Sequence, residues 1–324
     1  MDALSDVLRV ARLTGGVFLH ADLYAPWCLA TKVSPEHCTP ALGPAPHVIP
    51  YHFVVEGEVQ FRVGHGDGAG DGSALTLGPG DAVVLPRNDL HFMGSDLALP
   101  PVPGLHVMQQ PGRGQLWVMR HGGDGARTRL VCGFLGCDDL DANPVIASLP
   151  SVVKVSLSEG AAAEWIRSTL RFAAEEVAAG RPGSETVLEK VSELLFVEAV
   201  RRHADGLPEG QTGWLAGLRD PHVSRALALI HRDIAHPWTV DELGREAGLS
   251  RSALGDRFIR LIGMPPIHYL ARWRMQVAMQ KLRATAASLA QVADMVGYES
   301  EAAFSRAFKK AVGTAPATWR RANA

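Results

Sequence analysis

"GLSRSALGDRFIRLIGMPPIHYLARWR", residues 248–274, and "GYESEAAFSRAFKKAVGTAPATWRR", residues 297–321, state one pattern twice. Each opens on a glycine that permits a tight turn. A serine follows (Ser250, Ser300), a residue type that caps a helix by accepting a main-chain N–H bond. Each then lays down an apolar stripe, ends on a glycine and restarts at a proline. Leu254, Phe258, Leu261 and Ile262 make the first stripe, at i, i+4, i+7 and i+8, one face of a helix. Phe304, Phe308, Ala311 and Val312 make the second. Gly248 and Gly297 are 49 positions apart; Leu254 and Phe304, Phe258 and Phe308, Gly263 and Gly313, Pro266 and Pro316 are 50 apart. The second turn has therefore gained one residue.

Upstream of each turn stands a further short apolar helix. Leu243 and Ala247 share one face before Gly248, with Thr239 as its cap, and Leu289, Val292 and Ala293 precede Gly297. Two helices joined by a glycine-permitted turn are the grammar of a helix-turn-helix, whose second helix enters a major groove. Residues 265–284 read as the helix connecting the units, with Tyr269, Trp273, Val277 and Leu282 packing on both. Off the stripes lie Arg251, Ser252, Gly255, Asp256 and Arg260 in the first unit. Glu301, Ala302, Ser305, Arg306, Lys309 and Lys310 lie off it in the second.

Charge agrees with that division. Residues 220–324 carry 15 Lys+Arg against 9 Asp+Glu, a balance of +6. Residues 1–219 carry 17 against 25, a balance of −8, so the net charge of −2 conceals two opposed halves. A basic module suits a polyanion. The chain of 324 residues is long enough for more than one domain, and its 47% hydrophobic and 20% charged content is that of a globular protein. No apolar run reaches the roughly 20 residues of a membrane span. The first residues do not read as a signal peptide, so a cytoplasmic protein with no membrane partner is expected.

Before residue 138 the pattern is short strands and turns. "YHFVVEGEVQFRV" (51–63) leads into the Gly/Asp-rich "GHGDGAGDG" (64–72), a hairpin tip, and "ALTLGPGDAVVLP" (74–86) sets a Pro-Gly-Asp turn between apolar runs. Residues 162–180 and 184–204 then read as helices. Val187, Leu188, Val191, Leu194, Leu195, Val197 and Ala199 give the second a broad apolar face, to be buried on its own β domain, in a dimer seam, or in both.

Residues 220–322 closely resemble the DNA-binding domain of AraC/XylS-type transcription regulators, through the two stretches quoted first. The resemblance implies seven helices and bases read by the second helix of each unit. Carried over position by position, the base-facing set is Arg251, Ser252, Gly255 and Asp256, then Glu301, Ala302, Ser305 and Arg306. Several relatives place larger polar side chains where this chain has Ser252, Gly255 and Asp256. Aspartate is repelled by phosphate and accepts only from a base amino group such as cytosine's. Arg306 is the stronger expectation for a bidentate guanine contact. Double-stranded promoter DNA, RNA polymerase and a second copy of the chain are the partners the resemblance implies.

"HVIPYHFVVEGEVQFRVG" (47–64) and "GPGDAVVLPRNDLHFM" (78–93) resemble the two motifs of cupins, as found in the sensor half of one branch of these regulators. The metal-binding cupins imply His52, Glu56 and His91 as ligands of a divalent ion such as zinc. The remaining histidine position is filled by Pro50, with His47 out of register. A redox alternative rests on Cys28, on Cys38 beside His37, and on Cys132 and Cys137; a neighbouring imidazolium lowers a thiol pKa. A small organic effector is the third. The expected fold is a multidomain α+β chain: a cupin-like β-barrel (1–145), a helical linker or dimerisation segment (146–219) and an all-α domain with two helix-turn-helix units (220–324). The expected function is a non-enzymatic DNA-binding regulator sensing a small molecule, metal or oxidant. The alternative is a metal-dependent cupin enzyme fused to a DNA reader.

Overall fold

A computed structural model of the chain describes residues 2–11, 13–34, 47–64, 74–109, 117–137, 143–157, 160–178 and 184–323. They form two compact units, one of residues 12–141 and 149–205, the other of residues 1–11, 142–148 and 206–324.

The described residues of the first unit form twelve strands: β1 (Thr14–Tyr24), β2 (Cys28–Thr31), β3 (His47–Glu56), β4 (Val59–Val63), β5 (Leu75–Leu77), β6 (Asp81–Val84), β7 (His91–Gly94), β8 (Val102–Pro103), β9 (Met108–Gln109), β10 (Trp117–Gly122), β11 (Arg127–Cys137) and β12 (Val153–Ser156). They make a seven-stranded sheet, β12-β6-β3-β11-β1-β10-β9, and a five-stranded sheet, β5-β4-β7-β2-β8. This corrects the expected barrel. Among the described residues the edge strands β12 and β9 of one sheet form no ladder with β5 and β8 of the other, so the strands never close on themselves. The two sheets instead share one apolar core, in which Leu23, Val54 and Leu130 meet Leu29, Phe61 and Met93. Strand alternation explains the division of faces. On β3, His52 lines the inner cavity described below, while the phenol of its neighbour Tyr51 bonds Ser192 Oγ at 2.8 Å, on the helix Ser184–Asp205. That helix packs on β1, β11 and β12.

Of the apolar residues expected on its face, Val191, Leu195 and Ala199 are buried, whereas Val187 and Leu194 stay exposed. The preceding helix, Ala161–Ala178, leaves Trp165 and Phe172 half exposed.

The second unit is helical. Residues 220–323 form seven helices, the number implied by the resemblance: Pro221–Arg232, Val240–Ala247, Arg251–Ile262, Pro266–Ala284, Leu289–Met295, Glu301–Val312 and Pro316–Asn323. The N-terminal helix Ala3–Ala11 packs against the first and fourth of these, with Ala3 and Val7 buried. Nothing in the sequence marked that short segment as part of the C-terminal unit.

Candidate functional site

Each reading helix is fixed at both ends by main-chain chemistry. Ser250 Oγ accepts from Ala253 N at 3.3 Å, and Ser300 Oγ from Ala303 N at 3.2 Å. A cap of this kind contributes about 1 kcal/mol. The helices before the turns are capped too. Thr239 accepts from Glu242 N, while Ser288 and Gln291 form a reciprocal capping box. The turns share one hydrogen bond: Leu249 N donates to Gly244 O at 2.8 Å, and Tyr298 N to Ala293 O at 2.9 Å. The two pairs are 49 positions apart, so the added residue of the second turn is Glu299, between Tyr298 and its cap Ser300. Gly297 has φ +75, and a Cβ there would overlap Ala235 O, so the second turn needs glycine for its backbone and for space.

The inner faces hold the units together. Leu254, Phe258, Phe304 and Phe308 are fully buried, as the stripes predict. The connecting helix Pro266–Ala284 gives Tyr269 and Trp273 to the first unit and Met275, Ala278 and Leu282 to the second. Val277 packs partly buried on the second core. Tyr269 Oη accepts from Trp214 Nε1 at 2.7 Å and lies 2.8 Å from His231 Nε2. Burial pushes the His231 pKa down to about 3, so the ring is neutral.

On the outer faces Arg251, Ser252, Asp256 and Arg260 of the first unit are exposed, as are Glu301, Ala302, Arg306, Lys309 and Lys310 of the second; Gly255 and Ser305 are partly so. Arg260, Arg306, Lys309 and Lys310 make no ion pair among the described residues, while Arg251 pairs with Asp241 at 3.2 Å. Three arginines that count toward the +6 balance serve the fold instead. Arg257 pairs with Asp220 at 2.5 Å, and Asp220 caps the helix Pro221–Arg232. Arg274 donates to Ile234 O and His236 O, and Arg320 to Leu282 O and Ala287 O. Their partners are main-chain groups or distant in sequence, and no local pattern announces them.

In the β unit the expected metal set does not assemble. His52 and His91 come together, but they bond each other, Nε2 to Nε2, at 2.8 Å. Glu56 ends the same strand at the surface, its side chain 52% exposed and paired with Arg129 at 3.5 Å. One histidine pair spent on itself and one carboxylate spent on an arginine leave no shared coordination point. Among the described residues no group of three or more His, Cys, Asp or Glu is placed to hold a metal ion. The divalent-metal expectation, zinc included, is therefore withdrawn, and a metal-dependent enzyme loses the ligand set it required.

Cys28, Cys132 and Cys137 are buried, and Cys28 and Cys132 are free thiols. Burial pushes the Cys132 thiol up to about 12 and raises that of Cys28, so both are protonated at neutral pH. Cys132 and Cys137 lie five residues apart along β11, about 16 Å at the strand rise. Cys38 and His37 lie outside the described residues.

A cavity of about 520 Å³ opens inside the β unit, with Leu23, Met93, Met119 and Leu130 among its apolar walls and His52, Thr31 and Cys132 among its polar lining. The sequence singles out His52 only as an expected metal ligand, not as part of a cavity wall.

The comparisons with known proteins agree with these two units. Residues 2–205 match a family model described as Cupin, and residues 243–322 one described as Helix-turn-helix domain. The chain is 34% identical to an AraC-like transcription regulator of Streptomyces antibioticus over 277 residues, 86% of this chain and 88% of that one. It is 32% identical to an AraC-like transcription regulator of Streptomyces lividans, over 99% of this chain and 98% of that one. It is 27% identical to the HTH-type transcriptional regulator AlkR of Acinetobacter baylyi, over 99% of each. Among solved structures, the DNA-binding domain of AdpA in complex with a target DNA aligns with 32% of this chain and 92% of its own at 28% identity, with a TM-score of 0.31. The chain belongs to the AraC/XylS family of transcription regulators, in the branch that carries an N-terminal cupin-like domain. It is a DNA-binding regulatory protein, and no helix of its described residues is long and apolar enough to cross a membrane.

Proposed function

We propose a one-component regulator whose β unit takes up a small organic molecule and whose helical unit grips promoter DNA through two reading helices. The observation that carries it is the pair of capped helices, Arg251–Ile262 and Glu301–Val312, joined by one connecting helix and bearing solvent-facing polar residues. Arg251, Ser252, Gly255 and Asp256 face bases in the first groove, and Glu301, Ala302, Ser305 and Arg306 in the second. Arg260, Lys309 and Lys310 meet phosphates. The exposure of Arg306, which makes no ion pair among the described residues, supports its role as the guanine reader.

The effector cavity supports sensing of an organic molecule. A second copy of the chain docks at Trp165 and Phe172 on one helix and Val187 and Leu194 on the next, each pair seven residues apart and each residue exposed. RNA polymerase is the expected further partner at the promoter, in the cytoplasm. Fluorescence anisotropy against DNA selected from a random-sequence pool tests the reading. The apparent Kd should weaken with salt at a log–log slope of several units, about 0.9 per phosphate neutralised. A single affinity for every sequence, selected or not, contradicts it.

A further inference from the structure

The two reading helices are built to one register. Arg251–Ile262 and Glu301–Val312 each run for 12 residues, follow a capping serine and end on a glycine. Leu254 and Phe304, and Phe258 and Phe308, are fully buried at matching places. A helix whose buried face is fixed has its outward positions fixed as well. Asp256 and Arg306, each the sixth residue of its helix, therefore take the same outward place, and both are exposed. Their charges are opposite. The inversion recurs at the first residue of each helix, where Arg251 stands against Glu301.

At the sixth place neither side chain is committed elsewhere. Asp256 and Arg306 make no hydrogen bond and no ion pair among the described residues. At the first place Arg251 is already paired with Asp241 at 3.2 Å. The sixth place thus carries its full difference in charge to whatever base it meets.

The major groove distinguishes the two charges. Guanine offers two acceptors, O6 and N7, which suit the donors of an arginine. A carboxylate only accepts, so it is repelled by guanine and by thymine O4. Adenine has a donor at N6 beside an acceptor at N7, and one carboxylate oxygen would face that lone pair. Cytosine offers its N4 amino group with no acceptor beside it in the groove. A wrong base leaves the carboxylate against lone pairs, so Asp256 selects by what it repels as much as by what it binds.

We propose that Asp256 accepts from the N4 amino group of a cytosine, at the helix place where Arg306 donates to a guanine. The two DNA segments then differ at that place, although the protein repeats its fold. This assignment rests on the reading in which both helices face bases.

The test is selection from a random-sequence pool with the full chain, followed by anisotropy on the selected duplex. One selected position should prefer cytosine in a manner that depends on Asp256. Replacing that cytosine with a 2-pyrimidinone nucleoside, which lacks the N4 amino group, should weaken the wild type roughly five- to tenfold. The same replacement should leave Asp256→Ala unchanged. Asp256→Asn should move the preference at that position toward adenine, whose N6 and N7 an amide matches. Full cytosine preference retained in Asp256→Ala overturns the proposal, as does wild-type binding indifferent to the loss of every selected cytosine's amino group. In either case a guanine preference that is lost in Arg306→Ala keeps the groove reading. If neither Asp256→Ala nor Arg306→Ala alters the selected sequence, the groove reading falls and the proposal falls with it.

Discussion

The guanidinium carbon of Arg274 stands 5.7 Å from the ring centroid of Tyr298, in the second turn, while its nitrogens donate to Ile234 O and His236 O, in the loop that leads into the first helix-turn-helix unit, at 2.9 Å each. One side chain of the connecting helix therefore ties the segment before the first unit's capped helix to the turn of the second. Holding that loop against the second turn restrains the separation of the two reading helices, and that separation must match successive grooves of DNA.

Arg274→Leu keeps the apolar stem and removes every donor. It should cost about 2 kcal/mol in denaturant unfolding, the scale of losing hydrogen bonds to half-buried carbonyls. It should also weaken specific DNA binding, although Arg274 is outside both proposed base-facing sets. Unchanged DNA affinity in a destabilised variant would show that the spacing is held by the apolar core alone.

Gly255 sits inside the first reading helix, and a Cβ there meets nothing within 4 Å. Gly255→Ala should therefore stabilise the protein by roughly 0.5–1 kcal/mol, because glycine gives up more backbone freedom than alanine. If the proposed groove contact is right, the same variant weakens DNA binding, since the methyl group enters the space DNA occupies. Thermal unfolding and anisotropy on one preparation separate the two effects.

Arg306→Ala should lose roughly 1–3 kcal/mol at the selected site and relax the preference at one base position. Equal weakening on all DNA sequences would make Arg306 a phosphate anchor.

What the sequence disclosed depends on how local the cause is. The caps, turn glycines and stripe centres of the helix-turn-helix units were legible, because they are set by neighbours within one or two helical turns, while the stripe ends were not: Ala311 is exposed and Leu261, Ile262 and Val312 are only partly buried. Ser250, Gly297, Phe304 and Phe308 all stand where the pattern put them. The structural duties of Arg257, Arg274 and Arg320 were not legible, since their partners lie 37, 38–40 and 33–38 positions away and include bare carbonyls. The cupin motifs located His52 and His91 together but misjudged their use. Spacing along a strand does not reveal that two imidazoles satisfy each other while Glu56 turns to Arg129. Closure of the sheet was equally hidden, because ladder pairing between edge strands is a property of the tertiary fold.

His231 gives the pH dependence a definite sign. Its folded pKa, about 3, lies below the ordinary 6.5, so between those values the unfolded chain binds a proton that the folded chain refuses. The stabilisation is full above pH 6.5 and falls as pH drops toward 3, by about 1 kcal/mol per pH unit in that window. His231→Gln keeps a polar group toward Tyr269 and cannot titrate. Its unfolding free energy should fall less steeply between pH 7 and 5 than that of the wild type. Parallel curves would mean that His231 does not titrate on unfolding.

If one chain reads two successive groove segments, it covers bases in both at once. Methylation protection of guanine N7, which lies in the major groove, measures this directly on DNA selected from a random pool. Protected positions should fall in pairs of clusters one helical turn apart, about 10 base pairs, with Arg306→Ala removing one cluster of each pair and sparing the other. A single protected cluster, or loss of both clusters together in a stably folded Arg306→Ala, would contradict it.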